Sequence, residues 1–153
     1  MTDRRAWVEQ IMGMPISLHL RGPGVRGDPR TAAAVGEVFA YCLNAGGDIA
    51  VHVASPSRPA WRVGIEDPHD RRRLLDVRTI RTGSVATSGT AARGAHIIDS
   101  RRGVPATDLL SATVTGPSLL WADVYATTAF AQGPGAESWL RYRAPDNEIT
   151  PAI

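Results

Sequence analysis

The sequence contains no lysine: all 17 of its basic residues are arginine. That excludes the phosphate-cradling P-loop and Schiff-base chemistry, because both require a lysine amine. A single cysteine, Cys42, rules out an internal disulfide and offers no zinc pattern. Aromatic residues make up only 6% of the chain and are not interleaved with the arginines, so base stacking has no platform and nucleic acid is not an expected partner. No apolar run approaches the ~18 residues that a membrane span needs. The opening MTDRRAWVEQ has arginines but no apolar stretch behind them, which reads as no signal peptide, no membrane insertion and a cytoplasmic address. What remains is a chain of 153 residues, 43% hydrophobic and 21% charged, with a net charge of +2. Those proportions fit one globular domain.

The most informative stretch is Ser84 to Gly103, SVATSGTAARGAHIIDSRRG. Ile97 and Ile98 suit a pleated surface, whereas Thr87, Ser88, Gly89 and Thr90 cannot fill a core. Gly89 and Gly94 would let backbone N–H groups approach an anion closely. A ligand loop between two short strands and a hairpin with a polar tip fit this pattern almost equally well.

Taken in order, Met12–Leu20 alternates as a strand and GPGVRGDP, residues 22–29, is a turn-rich loop. Thr31–Tyr41 predicts a helix capped by Thr31. The character changes at Cys42, where CLNAGGDIAVHV sets a Gly-Gly turn before an alternating strand, Ile49, Val51 and Val53. Asn44 and Asp48 flank that turn, which reads equally as a tight structural turn or as a ligand cradle. Ala60–Glu66 is a strand expected to pair with the one before it through the SPSRP loop, and Leu74–Arg81 and Leu109–Thr115 are further strands. A last helix opens at Pro117, with Ser118 as cap, Gly133 as stop, and Leu120, Val124 and Ala131 as its buried face. Within it Asp123 and Thr127 lie four apart, on one side. A carboxylate and a hydroxyl suit a hard cation such as Mg²⁺; a partly exposed Asp123 with Thr127 bonded back to the helix fits as well. The chain is expected to fray after Arg143, leaving residues 144–153 a flexible tail. Short strands with two or three packed helices predict an α+β fold around a largely antiparallel sheet.

In their order, these pieces resemble the FAD:protein FMN transferase (ApbE) family. The resemblance rests on the Met-Gly strand at Met12-Gly13-Met14 and NxGGDI at Asn44, Gly46, Gly47, Asp48 and Ile49. It continues through Trp61 to Ile65, ATSG at Ala86–Gly89, Arg93, HIIDSRRG at His96–Gly103, and ADxxAT at Ala122, Asp123, Ala126 and Thr127. It implies a shortened, T-fold-like ApbE domain over residues 1–143. A central block is missing near Tyr41–Cys42, because family members are roughly twice as long. Ser100 and Arg102 stand where the family has proline and threonine.

The resemblance also implies an activity. It is Mg²⁺-dependent transfer of FMN from FAD to a threonine or serine hydroxyl of a partner flavoprotein, with release of AMP. Asp123 and Thr127 would hold Mg²⁺, with Asp123 and His96 as the catalytic pair. Met12, Asn44, Gly46, Gly47, Asp48, Ser88, Gly89, Arg93, His96 and Ile97 would bind the flavin nucleotide. Asp99 would fix the turn rather than act chemically. A non-catalytic flavin-binding remnant, or a pyrophosphatase splitting FAD to FMN and AMP, are the alternatives.

Overall fold

A computed structural model describes residues 4–11, 14–22, 39–91 and 94–153. Its centre is a seven-stranded antiparallel sheet in the order β1-β2-β3-β4-β7-β10-β11. These strands are β1 (Arg4–Ile11), β2 (Met14–Arg21), β3 (Ala40–Ala45), β4 (Asp48–Val53), β7 (Gly83–Gly89), β10 (Ser111–Gly116) and β11 (Glu148–Ala152). A two-stranded ribbon, β5 (Trp61–Glu66) and β6 (Leu74–Ile80), stands apart from it. So does a short one, β8 (Ile98–Asp99) with β9 (Val104–Pro105). Two helices follow β10, α1 (Leu119–Gln132) and α2 (Ala136–Arg143). The α+β, mainly antiparallel expectation therefore holds.

Strand alternation assigns the two faces of the large sheet. Val51, Val53, Val85 and Ala40 point to one side and form a core with Trp61 and Val63 of β5. Ala86 and Val114 point to the other and pack against Ala122 and Ala126 of α1 and Leu140 of α2. The sheet is thus sandwiched between a β-ribbon and a helical layer. Burying the side chains at alternate positions, Trp61, Val63 and Ile65, gives β5 its place. Its partner is β6, with Trp61 opposite Ile80, and not β4 as its sequence position suggests. β4 has both edges occupied, by β3 and by β7.

Other expectations are corrected. Of the helix anticipated at 31–41, residues 31–38 lie outside the described residues, while Ala40 and Tyr41 begin β3. β3 runs unbroken across Tyr41–Cys42, ladder-bonded on both sides, and that pairing overrides local preference. Residues 144–153 are not a loose tail, because Glu148–Ala152 pairs with β10 as the sheet's last strand. Pro151 is tolerated there, on an edge.

The buried face of α1 also differs. Leu120 and Val124 are exposed, at 68% and 41%, Ala131 is half-buried, and the buried residues are Ala122, Ala126, Ala129 and Phe130. The reason lies in the sheet beneath. Ser84, Ala86, Ser88 and Ala112 are small, so a stripe of alanines lets the helix come close and turns Leu120 and Val124 outward. Ser118 occupies the N-cap position but makes no side-chain cap, and its carbonyl accepts from Ala122. Gly133, at φ 70°, stops the helix as expected. Among the described residues no helix is long and apolar enough to cross a membrane.

Candidate active site

The end of β7 and the outer flank of α1 meet at one contact. Ser88 Oγ and Thr127 Oγ1 are 2.8 Å apart, joining the ATSG strand to the ADxxAT helix. Ser88 is buried and Thr127 exposed. Thr127 does not turn back on its own helix; Thr128 does so, donating to the Val124 carbonyl at 2.8 Å. Asp123, one turn earlier, is exposed, so its carboxylate is not the desolvated burden that an apolar helix suggested. If the Thr127 hydroxyl donates to Ser88, its lone pairs stay available to a cation, and Asp123 supplies the hard oxygen that Mg²⁺ prefers. Two protein oxygens suffice for Mg²⁺ when water and phosphate complete the shell.

Gly89 continues β7 opposite Ser111. A Cβ there would come within 2.7 Å of the Leu110 carbonyl oxygen, so strand proximity alone requires glycine. The β3–β4 turn is a two-residue hairpin with Gly46 at φ 66° and Gly47 at φ 109°. Positive angles at both central positions are what such hairpins demand. Asn44 Oδ1 accepts the Gly47 N–H at 2.9 Å, while Asp48 opens β4. The register Ile49↔Val85 carries this turn toward the Ser88–Gly89 end of β7, so both glycine motifs share one end of the sheet.

His96 is exposed and its Nδ1 lies 2.9 Å from the Gly94 carbonyl. A carbonyl can only accept, so Nδ1 carries the proton and a neutral ring keeps its lone pair on Nε2. Ile97 is half-buried and packs against the cluster that includes Ala129 and Phe130 of α1. Met12 and Arg93 lie outside the described residues.

Asp99 serves the turn, as expected, and is 2% exposed. Its Oδ1 accepts the Arg101 backbone N–H at 2.9 Å and Arg101 Nε at 3.2 Å, and its Oδ2 lies 3.2 Å from Arg102 Nε. The Arg101 side chain beside it holds the Asp99 carboxyl below the usual carboxylate range. Arg102 in turn pairs with Asp108 at 2.7 Å, which raises its already high pKa. Arg101 also donates to the Gln132 carbonyl at 2.8 Å. Sequence reasoning missed these links. The DSRR run was their one visible trace, and nothing in it pointed to the end of α1.

A cleft of about 870 Å³ lies at the other end of β7 and β10, beside β6, and none of the anticipated site residues lines it. Arg78 lines it, but its charge is consumed by Asp76 at 3.0 Å and Glu148 at 2.6 Å. Arg81 also lines it and donates to the Arg58 and Ser55 carbonyls, so both arginines of the cleft are already engaged.

The chain is thus a helix-backed antiparallel sheet with two glycine motifs at one end and the Asp123–Thr127 pair on the helix flank. The ApbE family model matches residues 30–149, and the chain belongs to that family. It is 31% identical over 104 residues to an FAD:protein FMN transferase of Klebsiella pneumoniae (strain 342), a match spanning 61% of this chain and 30% of that protein. Two solved structures share the fold. The ApbE protein of Thermotoga maritima is 25% identical, with a TM-score of 0.58 over 72% of this chain and 38% of its own. The flavin transferase ApbE of Vibrio cholerae is 24% identical, with a TM-score of 0.59 over 80% and 45%. The chain therefore spans less than half the length of the relatives it matches.

Proposed function

We propose that this chain moves the FMN moiety of FAD onto a threonine or serine hydroxyl of a partner flavoprotein, with Mg²⁺, releasing AMP. The supporting observation is the Ser88–Thr127 contact, which brings two family motifs together beside Asp123 on an open helix face. In the reaction the acceptor oxygen forms a bond to the FMN phosphorus while the bond from that phosphorus to the AMP oxygen breaks. His96 Nε2 takes the hydroxyl proton, for which a neutral ring with Nδ1 committed to Gly94 is suited. Gly89 and the Gly46–Gly47 turn leave the sheet end free of bulk, so that backbone can approach the nucleotide. Asp123 and Thr127 would hold Mg²⁺, which when bound offsets charge on the pyrophosphate oxygens.

The test incubates the chain with FAD, Mg²⁺ and an acceptor domain and reads covalent flavin fluorescence on the acceptor. Asp123→Asn should abolish transfer and the Mg²⁺-dependent rise in melting temperature measured with FAD. It should leave the metal-free melt nearly unchanged, because the side chain is exposed. Equal Mg²⁺ shifts in both proteins would remove the metal assignment. The short span relative to its relatives favours a second reading, a flavin-binding domain without turnover. Tight FAD binding without AMP release would select it, and AMP release without acceptor labelling would select FAD pyrophosphatase activity.

A further inference from the structure

We propose that Arg101 is a positioning residue that fixes the His96 loop against the C-terminal end of α1, and so against Asp123 and Thr127. The reason this spacing matters rests on the flavin-transfer reading. His96 has no anchor of its own to the helix; the hydrogen bond of its ring returns to Gly94, two residues away. Its neighbour Ile97 is held from one side, where its carbonyl accepts the Ala106 N–H at 2.9 Å and its side chain meets the Ala129–Phe130 cluster. Apolar contact alone leaves a loop free to slide.

Arg101 supplies the directional restraint. One face of its guanidinium edge engages buried Asp99 through Nε at 3.2 Å and Nη2 at 3.4 Å, and the same Nη2 donates to the Gln132 carbonyl at 2.8 Å. That carbonyl is among the last of α1, which have no partner within the helix. α1 carries no basic residue in its last turn, so Arg101 brings the only cation seen bonded to that negative end among the described residues. Arg102 shares Asp99 through Nε but gives Nη2 to Asp108, and among the described residues it makes no hydrogen bond of its own to the helix. The two adjacent arginines therefore divide the work, one tying turn to turn and the other tying turn to helix.

The experiment compares Arg101→Gln, Arg101→Lys and Arg102→Gln in the full chain. It reads kcat and KM for FAD in flavin transfer and the NMR resonances of the His96 ring. Arg101→Gln should lower kcat about 10- to 100-fold, the size of loss seen when a partner that orients a metal ligand is removed. KM for FAD should change little. Arg101→Lys should fall between, since an ammonium reaches the carbonyl but cannot also fork onto Asp99. The His96 resonances should move in Arg101→Gln and hold their positions in Arg102→Gln. Equal losses in the two glutamine variants would show general loop loosening and overturn the proposal, as would an unshifted His96 in Arg101→Gln. If wild type transfers no flavin, the functional reading fails, and the His96 resonances alone decide the role of Arg101. If Arg101→Gln lacks a cooperative melt, Arg101→Lys carries the same comparison.

Discussion

Removing the Ser88–Thr127 contact from either side should have unequal effects. Ser88 is 8% exposed on the helix-facing side of β7, with Thr127 2.8 Å away on the exposed flank of α1. Thr127→Val keeps the branched shape and strands the Ser88 hydroxyl between sheet and helix. An unsatisfied buried hydroxyl costs about 1–3 kcal/mol. Ser88→Ala leaves the Thr127 hydroxyl facing water, so only the net worth of the bond is lost, about 0.5–1 kcal/mol. With both hydroxyls gone the pair becomes apolar and matched, and the double variant should be more stable than the sum predicts, by roughly 1 kcal/mol of coupling. For a chain of this size each kcal/mol is about 2–4 °C in melting temperature. Urea titrations of the four proteins, without metal, measure the cycle. If Ser88→Ala proves the more damaging single change, or if the two add within error, the contact does not hold helix to strand as argued.

Phe130→Ala should be the most damaging core change, about 3–5 kcal/mol in a urea titration, because Phe130 is 1% exposed at the centre of a cluster of alanines and one leucine that cannot collapse into the space. Gly89→Ala should destabilise by about 1–3 kcal/mol and weaken FAD binding, since the new methyl meets backbone rather than a movable side chain. His19 supplies a pH test: burial, then Arg4 and Arg21, hold its imidazole below its ordinary value. The folded chain therefore binds fewer protons than the unfolded one below pH ~6.5, so stability should fall as pH drops from there, and His19→Gln should flatten that slope.

The elements legible in the sequence were those whose signals are local. The strand at Ala60–Glu66, the Gly-Gly turn at Gly46–Gly47 and the Gly133 stop all appear where they were anticipated. β1 was not seen, because RRAWVEQI is an edge strand largely exposed and carries no clean alternation. The partner of β5 could not be read either, since strand pairing across the fold leaves no trace in one sequence. The face of α1 misled for a plainer reason: hydrophobicity favours Leu120 and Val124, while the small residues of β7 and β10 favour alanine. In the site, Ser88 and Thr127 were each singled out, yet only the fold shows that they touch. Arg101 reaching Gln132 depends on a helix ending beside a turn 31 residues earlier.

The alanine seam under α1 has a consequence for how sharply the site is defined. Ala122, Ala126 and Ala129 are each 0% exposed, and none has a rotatable side chain. A seam of leucines would offer several packings of similar energy, each with its own helix height above the sheet. Alanine offers one, and surrenders no side-chain entropy in adopting it. The height of α1 above β7 is thus set largely by backbone and Cβ atoms, leaving only the χ1 rotamers of Ser88 and Thr127 to bring their hydroxyls together. Warming the protein should broaden that distance little until the helix leaves the sheet altogether.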